Sequence, residues 1–296
     1  MSSIKGVSAR AKLRLETARA RYGWLDVMLT TFKRFTDEDG GFYAAGLTYY
    51  IFFSIFPLVL FSVSALGFAV FLSEELKQEI VNAGVDAFPL MSQVLQEDSL
   101  EGLAEARFSL AAVGLLLVLY SGTGGIVALE HALNRIRGLD DEGTFVQKRV
   151  SALKFLGTIG LIALLSVALS GLGQLVGSPL VSVPAYLAGI SMSVLLFASA
   201  FRFLPNVKPS WGEVLPGAIA AGAIFEVLKV VGPLYLASGE SGRDATFGAF
   251  AAAAGLLVSA YLLSQVTLLA AELNAVLAER RQSREFSLAD QGKEAP

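Results

Sequence analysis

The chain has no cysteine and one histidine, His131, and charged residues make up only 17% of its 296 positions. Without cysteine there are no disulfides, no thiolate nucleophiles and no cysteine metal sites, and the redox compartment stays open. Hydrolytic metal sites draw on clusters of Asp, Glu or His, and nucleophilic catalysis needs a base beside its nucleophile. One histidine and one short acidic run, Asp140, Asp141 and Glu142, offer little for either. That run reads more simply as a solvated loop. No ATP-binding motif is present. The glycine-rich stretch Gly122 to Gly125 lacks the lysine and the preceding strand of a phosphate-binding loop, and reads as close helix packing. No catalytic residue, cofactor or metal is expected.

What the chain has is apolar length. Hydrophobic residues make up 54%, too much for a soluble core of this size to hide. Six runs reach the roughly 20 residues that a spanning helix needs: Ala44–Leu72, Phe108–Leu129, Ala152–Val176, Pro184–Leu204, Val214–Ala237 and Thr246–Leu269. The expected fold is all-α, a polytopic membrane protein of six transmembrane helices. The first apolar run begins near Phe42, so no cleavable signal peptide is expected.

The basic residues orient this bundle. Nineteen of the 23 lie in the N-terminal tail, the even-numbered loops, the start of the third span and the C-terminal tail. Lys77, Arg107 and Arg243 occupy the other side, and Lys229 lies within the fifth span. Both termini are therefore expected in the cytoplasm, with the chain in a plasma membrane. Residues 1–41 read as a basic amphipathic tail, either lying on anionic lipid or simply setting topology. Residues 42–280 form the membrane domain. Within it an acidic outer loop, 73–107, is expected to carry amphipathic helices, as packed cover or as a lid. Residues 281–296 are expected to be a disordered cytoplasmic tail.

Ionisable residues inside a membrane are costly and mark candidate sites. Glu226 and Lys229 lie three residues apart on one face of the fifth span. Glu226 falls about 18 Å beyond Val214, near mid-bilayer. The two form either an ion pair locking helices together or a substrate or ion site. In the first span Pro57 withholds a backbone N–H from the carbonyl of Phe53. Ser54 is placed to help satisfy that carbonyl, and Thr48, Tyr49 and Tyr50 give the helix a polar half. A helix bent at Pro57, or broken near Pro233, would turn carbonyls toward a cavity; packing explains the same residues. The primary candidates are thus Glu226, Lys229, Ser54, Pro57 and Tyr49. Secondary polar candidates are Gln265, Glu272 and Asn274 on the last span, and Asn134 and Arg135 after the second.

Four stretches resemble a known family. They are GFYAAGLTYYIFFSIFPLVLF, YSGTGGIVALEHALNRIRG, RFLPNVKPSWGEVLPGAIAAGAIFEVLKVVGPLY and LLAAELNAVLAER, in register from about Phe42 to Arg280. They are similar to the YihY/BrkB family of bacterial inner-membrane proteins. That resemblance implies six spans with both ends inside. It also brings family labels of transport, serum resistance and, through an older naming confusion, ribonuclease BN.

Three function classes follow. The first is a transporter of a lipid or other amphiphilic envelope substrate. The second is a non-catalytic envelope scaffold, with envelope proteins or a second copy of the chain as partner. The third, least supported by the residues, is a membrane-associated ribonuclease. Membrane lipids are the expected partners, and nucleic acid is not.

Overall fold

A computed structural model describes residues 21–69, 97–140, 143–159, 179–237 and 245–293. The described residues form seven helices and no strand. They are α1 (Gly23–Asp37), α2 (Gly40–Ala69), α3 (Glu97–Ile136), α4 (145–159), α5 (Pro179–Phe203), α6 (Trp211–Ala237) and α7 (Ala245–Lys293). Helix α2 packs most extensively on α3, α6 lies between α5 and α7, and α7 also meets α2, α3 and α1.

By length and composition, Ala111–Ile136, Trp211–Leu228 and Ala253–Ser287 are long and apolar enough to cross a bilayer. Leu187–Phe203 is a shorter apolar helix. Their outer faces expose Leu116, Val227, Val258 and other large apolar side chains, a surface that lipid suits and water does not. The buried core gathers where the helices converge. It is built from Ala44 and Leu47 of α2, Ala132 and Leu133 of α3, Phe197 and Phe201 of α5, Val214 and Ala218 of α6, and Leu268 and Ala271 of α7. The many alanines let helix backbones approach closely, which is how membrane helices gain contact when burial of apolar surface drives little.

Local signals set the helix ends. Ser210 and Glu213 form the start of α6: the Ser210 hydroxyl donates to Glu213 Oε1 at 2.6 Å, and the Ser210 N–H donates to the same oxygen at 3.3 Å. Thr144 and Gln147 close a reciprocal capping box at the start of α4, with N–H to Oε1 at 2.9 Å and the return bond at 3.4 Å. Helix α3 ends in a Schellman turn. Gly138 takes a left-handed φ of 63°, its N–H reaches the Arg135 carbonyl and the Leu139 N–H reaches that of Asn134.

Two expectations change. Helix α3 is much longer than the run 108–129, because Glu97 to Arg107 are already helical and continue into it. Residues 281–293, expected to be disordered, instead extend α7 to Lys293. Arg281, Gln282, Arg284, Glu285, Leu288, Ala289, Gln291 and Lys293 in that stretch all favour helix. The remaining outer-loop residues, 73–96, and the second half of the third span, 160–176, lie outside the described residues.

Candidate functional site

Buried polar groups collect where α1, the end of α3 and the second half of α7 meet. Glu272 is 1% exposed, Asn274 1%, Asn134 0%, and Glu130 and Thr31 are also buried. Arg34 of α1 reaches this cluster. Its Nε lies 3.4 Å from Glu272 Oε2. Its Nη1 donates to Glu279 at 2.6 Å, and its Nη2 donates to the Ile136 carbonyl at 3.2 Å. Glu38 lies 3.4 Å from the same guanidinium. Burial works against the Arg34 charge. The Glu279 hydrogen bond and the carboxylates of Glu272, Glu279 and Glu38 outweigh it and raise its pKa above the ordinary value. One guanidinium therefore serves three carboxylates from two helices, and the innermost is shut from solvent.

The two asparagines fix backbone. Asn274 Oδ1 accepts the Gly217 N–H at 2.7 Å, and its Nδ2 donates to the Val214 carbonyl at 3.1 Å. These bonds need α6 and α7 in near contact. A Cβ at Gly217 would collide with the Ala270 carbonyl and the Asn274 amide. Asn134 Oδ1 accepts the Asn206 N–H at 2.9 Å, while the Asn206 side chain donates to the Asp140 carbonyl at 3.1 Å. The α5–α6 loop is thereby pinned to the end of α3. Three buried polar atoms make no hydrogen bond among the described residues: Thr31 Oγ1, Asn134 Nδ2 and Glu272 Oε2. Such atoms are expensive unless something meets them.

Deeper in the bundle, the Ser193 hydroxyl of α5 donates to Glu226 Oε1 of α6 at 2.6 Å. Glu226 lies 15 residues after Trp211, about 22 Å along the helix axis. Gly222, one turn earlier, faces Val194, whose Cγ2 would lie 2.8 Å from an added Cβ. The α5–α6 approach thus places the hydroxyl on the carboxylate. The side chain of Lys229 lies outside the described residues, so its expected pairing with Glu226 is not part of this geometry.

The first-span candidates sit elsewhere. Helix α2 runs through Pro57 without interruption. Ser54 donates to Ile51, three residues back, at 2.7 Å, and not to the carbonyl that Pro57 leaves without its donor. Tyr49 is exposed, with its ring 4.7 Å from Phe53 of its own helix. It is Tyr50 that turns inward, against Gly124 and Gly125 of α3. The Gly122–Gly125 stretch therefore does admit close packing. Tyr49, Ser54 and Pro57 are not brought to Glu226. Gln265 donates to Tyr261 of its own helix at 2.6 Å, and Arg135 points outward. Of the secondary candidates, Asn134, Glu272 and Asn274 converge on the buried cluster. Arg34, Glu130, Thr31 and Ser193 were not singled out from sequence. Among the described residues no group of three or more His, Cys, Asp or Glu is placed to hold a metal ion.

Comparison with known proteins adds identity. The profile of the family described as virulence factor BrkB matches residues 31–295. The chain is 27% identical over 265 residues to the inner membrane protein YhjD of Escherichia coli, covering 81% of this chain and 77% of that one. It is 25% identical over 267 residues to a ribonuclease-like protein, YfkH, of Bacillus subtilis, covering 85% and 94%. A UPF0761 membrane protein of Chromohalobacter salexigens is 27% identical over 277 residues, covering 88% and 66%. No solved structure matches the chain. With its four sequence stretches, its apolar helices and this profile in agreement, the chain belongs to the virulence factor BrkB family of membrane proteins.

Proposed function

We propose that this protein is a six-span plasma-membrane protein, with both termini cytoplasmic, that translocates a lipid or other amphiphilic envelope substrate. The one-sided distribution of basic residues supports the orientation. The inner-membrane name of the relative YhjD supports the location. The observation that carries the transport reading is Glu226. It is a carboxylate deep in an apolar helix, only half-buried and held by the Ser193 hydroxyl. Polar groups at such depth face a bundle interior or a water-filled path. Lys229, one turn on, is the proposed second charge of that path. The protein is read as non-enzymatic. RNA cleavage by the purified chain, lost on changing Asp141, would overturn that.

The test is movement of fluorescent phospholipid in proteoliposomes, comparing wild type with Glu226→Gln and Lys229→Met after each is shown to insert and stay monodisperse. Both substitutions should abolish movement. Normal movement in both removes the site from helix α6.

A scaffold is the second reading, favoured by one observation. Helix α1 packs along α7 and leaves Trp24, Met28 and Phe32 exposed at four-residue spacing. If that stripe is the working surface, polar replacements there remove the cellular phenotype, while Glu226→Gln changes only stability.

A further inference from the structure

The half-buried side chain of Arg149 reaches across to α3. Its residue lies near the start of α4, yet its guanidinium sits against the middle of an apolar segment of α3. Nη1 donates to the Tyr120 carbonyl at 2.6 Å and to the Thr123 hydroxyl at 2.7 Å. Thr123 is buried and lies near the centre of the candidate span Ala111–Ile136. The ring of Tyr120 lies 4.8 Å from the guanidinium carbon and that of Phe145 5.2 Å, so two aromatic rings attract the charge. Gly124 keeps the place open: a Cβ there would come within 3.5 Å of Nη1 and closer still to Tyr50.

Holding a guanidinium at this depth is costly unless it is paired. Among the described residues it has no carboxylate partner. Both of its protein acceptors fall on Nη1. The Nε and Nη2 edge, the fork that engages phosphate through two parallel bonds, has no acceptor among the described residues. The surroundings are apolar and outward-facing. Tyr120 and Phe145 are 67% and 70% exposed. Val113, Leu116 and Tyr120 line one face of α3, and Val146, Val150 and Leu153 one face of α4, all exposed and at helical spacing.

We propose that Arg149, with Thr123, Tyr120 and Phe145, forms a binding site for the phosphate of a phospholipid whose acyl chains lie on the exposed apolar faces of α3 and α4. The occupant is a lipid and not a soluble phosphate, because the open fork borders apolar surface next to a spanning segment. The site names a phosphate headgroup as the chemistry of the translocated amphiphile. It rests on the transport reading for that role alone; binding itself is measured without transport.

The experiment is the thermal stability of the full-length purified protein in detergent, titrated with phosphatidylglycerol or with diacylglycerol of the same chains. Inorganic phosphate serves as a separate arm. Wild type should be stabilised by phosphatidylglycerol and not by diacylglycerol or phosphate. Arg149→Gln should bind the phospholipid about tenfold more weakly, the loss of a charge-assisted hydrogen bond. Arg149→Lys should retain part of the shift, and Lys154→Gln, on the same helix, all of it. An equal phospholipid shift in wild type and Arg149→Gln overturns the site. So does a full shift from inorganic phosphate, which would assign the fork to a soluble anion. If Arg149→Gln does not fold, wild type and Arg149→Lys decide. No preference for phosphatidylglycerol over diacylglycerol in wild type, or an undiminished one in Arg149→Lys, overturns the proposal. Loss of translocation in wild type would leave these binding results standing.

Discussion

Glu272 shows what a single residue is worth here. This carboxyl, at 1% exposure, has the Arg34 guanidinium 3.4 Å away. Removing the arginine alone leaves a buried carboxyl without its partner, which costs about 1–3 kcal/mol. Arg34→Gln should therefore destabilise the protein far more than the double change Arg34→Gln with Glu272→Gln. A double-mutant cycle by thermal unfolding in detergent measures the difference; additive losses would show that the pair is not coupled. Gly217 is the second test at this scale. Its backbone lies so close to α7 that Gly217→Ala must push the helices apart, at about 1–3 kcal/mol in the same measurement. An unchanged melting temperature would contradict the contact. Sequence pointed to Glu272, Asn274 and Asn134 because polar residues at the ends of apolar runs stand out. It hid Arg34, one base among eight in the N-terminal tail. It also misplaced Tyr49. Adjacent tyrosines on a helix point about 100° apart, and only the packing of α2 on α3 decides that Tyr50 faces inward.

Elements show the same division between local and long-range signals. The apolar stretches of α2, α5 and α6 were legible because runs of apolar residues are written locally. The extension of α7 was not, since its tail is polar and is held by distant partners. Arg280 pairs with Asp26 of α1, and Arg281 donates to the Gly212 carbonyl at 3.0 Å. That second bond has a cause in α6. Pro216 has no N–H to give the carbonyl four residues back, which is Gly212, and Arg281 supplies the missing donor. Arg281→Ala should cost about 0.5–1 kcal/mol in wild type and less in a Pro216→Ala background, where the helix donor is restored. Equal costs in both backgrounds would rule out this compensation. The Asp26–Arg280 pair is partly exposed, so Asp26→Asn should cost less than about 1 kcal/mol and lose that effect in high salt. A salt-independent loss of several kcal/mol would mean that α1 is held chiefly there.

For the whole molecule, two levels of polarity stand out against an apolar bundle. A buried cluster closes the end where α1, α3 and α7 meet. Further along the helices lie Glu226 with Ser193, and on the outer side of α3 the Arg149 guanidinium with Thr123. Polar groups at such depths are costly to hold in a membrane, and on the proposed reading they line a path. The all-helical class and the membrane setting were legible from composition together with the length of the apolar runs. The Arg149 contact was not, because it depends on how α4 packs beside α3, which no local signal gives. The most direct measurement is the transfer of fluorescent phospholipid between leaflets of sealed vesicles carrying wild-type protein, against protein-free vesicles and vesicles carrying Glu226→Gln. The account predicts transfer with wild type alone. Equal transfer in all three, across several lipid mixtures and under an imposed proton gradient, would contradict it.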